Sequence, residues 1–376
     1  MNAFPIKRII ADRGIASYGL GRRMLAHFPG ASVSPADSNK HAVDPQNGKK
    51  ILYLQKYKGD FLKPCPGTRE YICCGYQILN VAANCPLDCT YCILQAYFLN
   101  QPCLRVFANL EERLPEVMHV IDSQPDRIFR VGTGEFTDSL ALDPLTRWSD
   151  MLLPEFSRRE NTILELKTKT TRIERVLALE CRDRIILSWS LNGPWISVRE
   201  EKGAASIEKR IEAAKRCQAA GFVLGFHFDP LIPYPGWKED YGRTIELLAR
   251  EIDPQRIIWI SMGSFRFMPD LKPIIRRRHP GSSVLNGEFI LGLDRKMRYF
   301  KPIRVELYRY IRGLLEAWHP DLGLYLCMES DDVWEASMGW SPKTSSGLRE
   351  FLDQRVIKFF LSRGRAPQVL RSPVRS

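Results

Sequence analysis

Between about residue 76 and residue 265, short apolar runs alternate with longer amphipathic segments. The runs are rich in Ile, Val and aromatic residues, which is typical of buried strands, while the segments between them carry apolar residues at helical spacing. The segment 206–221 shows this spacing clearly and ends at Gly221, a residue suited to close a helix. Repeated strand–helix units of this kind predict an α/β fold built on a parallel sheet. The predicted strands are QILNVA (77–82), RIFRVGT (127–133), TILELKT (162–168), RIILSWSL (184–191), FVLGFHF (222–228) and RIIWISM (256–262).

These six strands predict a partial barrel over residues 76–265, with an appendage at each end. Residues 1–75 are the predicted N-terminal appendage, with a short helix at 19–28, a loop over 32–50 that is rich in Ser, Pro and Asp, and a strand at 51–57. The predicted C-terminal parts are an extension at 266–360, a hairpin within it at 287–300, a helix at 302–318 and a flexible basic tail at 361–376.

Composition indicates a location and a class of partner. A chain of 376 residues that is 44% hydrophobic falls in the globular range. We find no apolar run of about 18 residues that could span a bilayer and no signal peptide, so we expect a cytoplasmic protein with no membrane partner. Ten cysteines without a secretion signal are expected to be reduced thiols or metal ligands. The formal charge of +12 favours a polyanionic partner such as nucleic acid, although charge alone is weak evidence.

Three cysteines follow the first predicted barrel strand: Cys85, Cys89 and Cys92, in the segment NCPLDCTYCILQAYF. Three thiolates at this C-x3-C-x2-C spacing can bind three irons of a [4Fe–4S] cubane. The fourth iron is then free to chelate the amino and carboxylate groups of S-adenosylmethionine (SAM). A zinc site would need a fourth Cys or His at close spacing, and none follows. Buried core cysteines are the plain alternative, which the clustering of all three on one loop disfavours.

The motif, with Tyr91 before the third cysteine, resembles that of the radical SAM superfamily. More narrowly, CPLDCTYCILQAYFLNQPCLRVFANLEERL resembles the cluster region of the spore photoproduct lyase family. SWSLN and EKRIEAAKRCQAAGFVLGFHFDPLIPYPGWKEDY resemble its later strands, and IADRGIASYGLGRRMLAHFPGASV fits its N-terminal part. The resemblance implies a partial (β/α)6 TIM-type barrel, with the cluster and SAM at the C-terminal ends of the strands. It also implies reductive cleavage of SAM to a 5′-deoxyadenosyl radical that reverses a thymine dimer in UV-damaged DNA, with a reductant such as flavodoxin or ferredoxin.

The same resemblance implies a set of SAM contacts. Gly134 and Glu135, in VGTGEFTDS, match a turn around the methionine amino group, with Thr137 nearby. The alternative is an ordinary strand–helix turn, which Thr137 and Asp138 would cap equally well. Lys169, in LKTKTT, matches a lysine that meets the SAM carboxylate, and its alternative is a solvated strand-end lysine.

Further contacts are implied at the ends of the later strands. Ser190 and Asn192, in SWSLN, match the residues that hydrogen-bond the ribose, and alternate strand positions place both on one face. Tyr91 and Asp229 are implied as additional contacts. His227 stands between apolar residues, so it is either a ligand or base, or a core side chain whose hydrogen bonds are satisfied.

Two positions depart from the family pattern. The family carries a cysteine after its second strand that returns a hydrogen atom to the product radical, and here Glu135 or Phe136 stands there. A carboxyl O–H bond is too strong for that role. Ile93 replaces a family tyrosine. Either another residue returns the hydrogen atom, or the reaction differs from dimer reversal. We keep Tyr91 and Glu135 as catalytic candidates. Further candidate donors are Cys65, Cys73 and Cys74, for which the alternative is a structural role.

The leading hypothesis is a radical SAM enzyme acting on a DNA lesion. The predicted hairpin mixes basic and aromatic residues suited to phosphate contact and base stacking, or it is a solvated edge hairpin. A second hypothesis keeps the radical chemistry but changes the substrate to tRNA, a peptide or a small molecule. A non-enzymatic iron–sulfur carrier would need four cysteines per cluster. The sequence does not indicate an oligomeric state. In the predicted hairpin, the basic and aromatic residues that suit phosphate contact and base stacking are Phe289, Arg295, Lys296, Arg298, Tyr299 and Phe300.

Overall fold

The computed structural model describes residues 4–36 and 47–361 and arranges them around two main sheets. Helices cover the sheets and supply much of the buried apolar core. The strands are β1 (Arg8–Ala11), β2 (Ser32–Pro35), β3 (Ile51–Gln55), β4 (Leu62–Pro64), β5 (Gln77–Leu79), β6 (Ala82–Ala83), β7 (Asp88–Cys89), β8 (Leu104–Phe107), β9 (Phe129–Gly132), β10 (Thr162–Thr168), β11 (Ile185–Ser190), β12 (Glu201–Lys202), β13 (Val223–Leu231), β14 (Ile257–Ser264), β15 (Arg266–Phe267), β16 (Phe289–Leu291), β17 (Met297–Tyr299) and β18 (Leu324–Leu326). The helices are α1 (Gly19–His27), α2 (Leu94–Tyr97), α3 (Leu110–Asp122), α4 (Asp143–Thr146), α5 (Trp148–Ser157), α6 (Glu174–Ala178), α7 (Pro194–Glu200), α8 (Ile207–Ala219), α9 (Trp237–Glu251), α10 (Leu271–Arg278), α11 (Lys301–Trp318), α12 (Asp331–Met338) and α13 (Ser345–Val356).

The larger sheet has eight strands in the order β18-β14-β13-β11-β10-β9-β5-β4. Its six central strands are those predicted from the sequence, and each pairs in parallel with the next. The partial barrel is therefore confirmed. Two short strands that the pattern did not predict extend its edges, β18 in parallel and β4 antiparallel. β18 belongs to the predicted C-terminal extension and β4 to the predicted N-terminal appendage. The division of the chain at residues 75, 265 and 360 stays a prediction.

The second sheet has the order β2-β1-β3-β8-β6. The segment QILNVA, predicted as one strand, contributes β5 to the barrel and β6 to this second sheet. Residues 32–35, predicted as loop, form β2, because their backbone pairs in parallel with β1. Residues 37–46 of that predicted loop, and 362–376 of the predicted tail, lie outside the described residues.

The predicted helices at 19–28, 206–221 and 302–318 are confirmed as α1, α8 and α11. The Ser206 hydroxyl caps the start of α8 by accepting a hydrogen bond from the Lys209 amide at 3.4 Å. Gly221 follows the end of that helix with φ of +93°, a backbone conformation that glycine adopts readily. None of the helices in residues 4–36 and 47–361 is long and apolar enough to cross a membrane.

A buried carboxylate organises the barrel interior. Glu165 Oε1 accepts hydrogen bonds from His227 Nε2 at 2.8 Å and Trp259 Nε1 at 3.0 Å, and also from the Ser188 hydroxyl. Its Oε2 accepts from the Tyr76 hydroxyl at 2.7 Å. Burial raises the pKa of this carboxyl, yet His227 and the other donors hold it well below its usual range. His227 is therefore a core group with satisfied hydrogen bonds, as one of the two sequence interpretations held.

We expect Glu165→Ala to destabilise the protein by about 3–5 kcal/mol, because it leaves buried donors without their shared acceptor. Urea denaturation of the apoprotein, followed by circular dichroism, measures this free energy of unfolding. The matched control is Glu160→Ala on an exposed position, which should change it by less than about 0.5 kcal/mol. Equal effects of the two substitutions would show that the interior cluster does not hold the barrel together.

Candidate active site

The three motif cysteines lie on the segment between β6 and α2, which we call the cysteine loop and which includes the two-residue strand β7. Asn84 turns the chain into this loop with φ of 69°, and its Oδ1 accepts a hydrogen bond from the Cys85 amide at 2.9 Å. Cys85 and Cys89 are buried and Cys92 is half-buried. All three line one cavity of about 160 Å³, which we call the cofactor cavity. The structure thus brings the predicted ligands together.

Burial raises the pKa of each of the three motif thiols. Among residues 4–36 and 47–361, no group of three or more His, Cys, Asp or Glu side chains is placed to hold one metal ion. Burial, reinforced by the nearby Glu201 carboxylate, raises the pKa of Cys89 to about 12. Iron binding would displace such protons, since a coordinating thiol is deprotonated.

Glu201, at the start of β12, holds the cysteine loop in place. Its side chain is fully buried, its Oε1 accepts from the Tyr91 phenol and lies 3.2 Å from Lys169 Nζ, and its Oε2 pairs with Arg210. The backbone of β12 also pairs with β7, with Glu201 opposite Cys89. Although burial opposes ionisation, Lys169 and Arg210 lower the pKa of Glu201 to about 2. The ionised carboxylate therefore ties the loop to a strand end and to α8.

The turn after β9 forms the opposite part of the cofactor cavity. A Cβ at Gly134 would lie 2.9 Å from Lys167 Cβ, so the close approach of these segments requires glycine. Asp138 caps the turn: its Oδ1 accepts from the Leu140 and Ala141 amides at 3.0 and 2.8 Å. The Thr137 hydroxyl, by contrast, is buried and has no hydrogen-bond partner. Asp138 therefore has the capping role that the alternative interpretation gave to both residues. The Thr137 hydroxyl can still form a hydrogen bond with a ligand.

Lys169 and Ser190 also line the cofactor cavity. The Lys169 ammonium lies 5.9 Å from the ring centre of Tyr91, beside the Glu201 carboxylate with which it pairs. Lys169 is therefore a paired, largely buried cation and not the solvated strand-end lysine of the alternative interpretation. Ser190 ends β11 and is buried at the cavity wall.

Asn192 is placed differently from the other predicted contacts. It is fully buried, its Nδ2 donates to the Pro230 carbonyl at 3.2 Å, and its Oδ1 accepts from the Tyr241 hydroxyl at 2.6 Å. It lines neither of the cavities considered in this section. Its Nδ2 also donates to Glu201 Oε1 at 3.4 Å, the oxygen that lies 3.2 Å from Lys169 Nζ. Asn192 therefore lies behind the cavity wall, joined to Lys169 through Glu201, while its Oδ1 serves the packing of α9.

A second cavity of about 250 Å³, the reaction cavity, shares the wall formed by Tyr91, Gly134 and Glu135 with the first. Two ion pairs border it: Glu135 Oε1 lies 2.7 Å from Lys167 Nζ, and both oxygens of Asp229 meet Arg266, at 3.2 and 3.1 Å. Despite burial, Arg266 holds the pKa of Asp229 below its usual range. Aromatic side chains complete the wall, namely those of Tyr97, Phe136 and Phe265.

The hairpin of β16 and β17 exists where the sequence predicted it, but most of its predicted contact residues point inward. Arg298 is buried and donates to Asp294 at 2.7 Å. Phe289 stacks on the buried Tyr299, with ring centres 4.6 Å apart. Phe289, Arg298 and Tyr299 therefore pack the hairpin onto the protein. Contact of the hairpin with nucleic acid stays a prediction. Lys296 lines the reaction cavity, and the exposed residues of the segment 287–300 are Gly287, Glu288, Ile290, Leu291, Leu293, Arg295 and Phe300.

Several site residues were missed in the sequence. Glu201 and Arg210 stand in charged stretches that look like solvated helix faces, and nothing local marks them as buried. Arg266 follows the last predicted strand, and its pairing with Asp229 depends on the folded barrel. Of the candidate thiols before the barrel, Cys65 lines the reaction cavity, while Cys73 and Cys74 line a neighbouring cavity that Cys65 also borders.

We expect Glu201→Gln to destabilise the apoprotein at neutral pH, by an amount that shrinks as the pH falls. The pKa of Glu201 is lowered in the fold from 4.5 to about 2, so its stabilising effect is complete above pH 4.5 and is lost towards pH 2. Urea midpoints at several pH values measure the difference between wild type and variant. Glu208→Gln, at an exposed position, is the control and should show no such trend. A pH-independent difference for Glu201→Gln would contradict the assignment.

Comparisons with known proteins agree with this architecture. A sequence profile of the family described as "Spore photoproduct lyase" matches residues 72–311. The spore photoproduct lyase of a Geobacillus species is 23% identical over 83% of this chain and 91% of its own length, and that of Bacillus subtilis is 24% identical over 82% and 91%. A solved variant of a spore photoproduct lyase, with bound AdoMet and dinucleoside spore photoproduct, superimposes with a TM-score of 0.75 at 21% identity, covering 86% of this chain and 99% of that one. The chain therefore belongs to the spore photoproduct lyase family.

Proposed function

We propose that this protein is a radical SAM enzyme that repairs a thymine photoproduct in DNA. The observation that carries the proposal is the meeting, at one cavity, of three thiols on a C-x3-C-x2-C loop with a glycine turn that leaves a buried hydroxyl unpartnered. Membership of the spore photoproduct lyase family supports the same chemistry and the same class of substrate. It disfavours tRNA, a peptide or a small molecule as the substrate.

The residues present fit the cofactors that this function needs. Cys85, Cys89 and Cys92 would hold a [4Fe–4S] cluster, because their thiols line one cavity on a loop that Glu201 fixes. SAM would lie against the turn after β9, where the orphaned Thr137 hydroxyl needs a partner that the protein does not supply. Further contacts would come from Gly134, Glu135, Lys169 and Ser190, which line the same cavity.

When bound, the reduced cluster and SAM together supply a 5′-deoxyadenosyl radical, which abstracts hydrogen. The protein contributes position and exclusion of water. Tyr91 separates the two cavities and is held by its hydrogen bond to Glu201. Asp229, kept ionised by Arg266, offers carboxylate oxygens to a hydroxyl or amide donor of a ligand. Glu135 and Lys167 balance each other's charge at the shared wall.

The reaction cavity suits a base that has left the DNA stack. Its aromatic side chains can stack on a base, and its cations, Arg266, Lys167 and Lys296, can meet phosphate or carbonyl oxygens. A crosslinked thymine pair leaves the duplex at lower cost than an intact one. The hairpin beside the cavity exposes Leu291 and Leu293, apolar side chains suited to wedge between base steps.

Two further parts of the proposal concern the electron donor and the location of the protein. The cluster must receive an electron, for which we propose a low-potential carrier of the flavodoxin or ferredoxin class. Ten cysteines that form no disulfide among the described residues fit a reducing, cytoplasmic setting.

Replacing Cys85, Cys89 or Cys92 by Ala should abolish the visible absorbance of the reconstituted cluster and the formation of 5′-deoxyadenosine from SAM, because each thiolate binds its own iron. Anaerobic reconstitution followed by chromatography measures both. Cys181→Ala, outside both cavities, is the control and should behave as wild type. A motif variant that still cleaves SAM would overturn the assignment of the loop.

The reduced holoprotein, incubated anaerobically with SAM and UV-irradiated DNA, should form 5′-deoxyadenosine and convert thymine photoproducts to thymine. Mass spectrometry of the digested DNA follows the repair. Deoxyadenosine without loss of photoproduct would reject DNA repair while retaining the radical chemistry, and RNA and peptide substrates would then be tested. Absence of deoxyadenosine from a cluster-loaded protein would reject both.

A further inference from the structure

The proposed reaction needs a hydrogen atom at its end as well as at its start. Removing hydrogen from the lesion leaves an unpaired electron, and after the crosslink breaks that electron remains on a carbon of the product. The donor must have a weak bond to hydrogen, and the S–H bond of a thiol is much weaker than the O–H bond of a carboxylic acid. Glu135 and Phe136, which line the reaction cavity, supply no such bond.

Cys65 brings a thiol to that cavity from another part of the chain. It directly follows β4, the antiparallel edge strand of the barrel sheet, and its backbone amide donates to the Tyr76 carbonyl at 2.9 Å. Its side chain lines the reaction cavity together with Glu135. Lys167, the ion-pair partner of Glu135, lines the same cavity.

The other thiols nearby are placed differently. Cys73 Sγ bonds with the backbone of its own loop, donating to the Thr68 carbonyl and accepting from the Thr68 amide, both at 3.4 Å. Cys327 Sγ accepts from Arg266 at 3.3 Å. Outside the cluster loop, Cys65 is the one cysteine of the described residues that lines the reaction cavity.

The state of protonation also favours a donor. Burial, followed by the charge of Glu135, raises the pKa of Cys65 far above its usual range. The group therefore stays a thiol at neutral pH, and the thiol is the form that carries a hydrogen atom.

We propose that Cys65 returns the hydrogen atom to the product radical, an inference that rests on the proposed function. The Sγ–H bond breaks homolytically, a C–H bond forms on the product carbon, and the unpaired electron passes to sulfur. The resulting thiyl radical takes up one electron from the same class of low-potential carrier and one proton from solvent, which restores the thiol. One SAM is then consumed for each lesion repaired.

The test compares wild type, Cys65→Ser and Cys73→Ser, as reconstituted holoproteins in deuterated buffer with SAM and a dinucleoside thymine photoproduct. Because the thiol exchanges with solvent, wild-type product should carry one deuterium. Cys65→Ser keeps the size and polarity of the side chain but has a strong O–H bond. It should form deoxyadenosine normally, while repaired product falls by more than about tenfold. Cys73→Ser, which preserves both bonds to Thr68, should match wild type.

A second measurement does not depend on turnover. Binding of the dinucleoside, measured by isothermal titration calorimetry of the holoprotein, should weaken in Cys65→Met, whose longer side chain takes up space in the reaction cavity, whereas Cys181→Met should bind as wild type. Normal repair with deuterium incorporation by Cys65→Ser, or unchanged binding of the dinucleoside by Cys65→Met, would overturn the inference and leave the proposed function intact. A wild-type protein that forms no deoxyadenosine would instead remove the proposed function.

Discussion

The buried carboxylate of Glu201 is the interaction on which the site depends. It joins three separate parts of the chain: the cysteine loop through Tyr91, the end of β10 through Lys169, and α8 through Arg210. An ionised group without exposure to water is tolerated only when it is paired, so these partners cannot move apart without a large cost. The positions of the thiols therefore follow from this pairing together with the backbone pairing of β7 and β12.

The rest of the site follows from the parallel sheet. Successive strands end at one rim of the barrel, so the turn after β9 and the ends of β10, β11 and β13 meet around adjoining cavities. The shared wall, with Tyr91 and Glu135, places the cofactor cavity against the reaction cavity. A radical formed in the cofactor cavity would therefore arise beside the reaction cavity.

The sequence predicted what local pattern controls. Apolar runs predicted the six central strands, and the spacing of Cys85, Cys89 and Cys92 predicted that they act together. Each of these features depends on only a short segment of sequence. The sequence did not predict β4 and β18, which are too short, at three residues each, to show a pattern of their own. β18 moreover forms by pairing with β14, more than 60 residues earlier in the chain. Glu201 was missed for the same reason, since its burial depends on cations from elsewhere in the chain. The hairpin was found, but not that Arg298 faces Asp294 within it.

The most direct test of the central claim is electron paramagnetic resonance of the anaerobically reconstituted, reduced protein with and without SAM. If Cys85, Cys89 and Cys92 hold a cubane as proposed, one of its irons would have no protein ligand. Addition of SAM should therefore shift the g values of the reduced cluster, through coordination at that iron. A spectrum that SAM does not change would mean that the fourth iron is closed, and it would contradict the account of this loop as a SAM-binding centre.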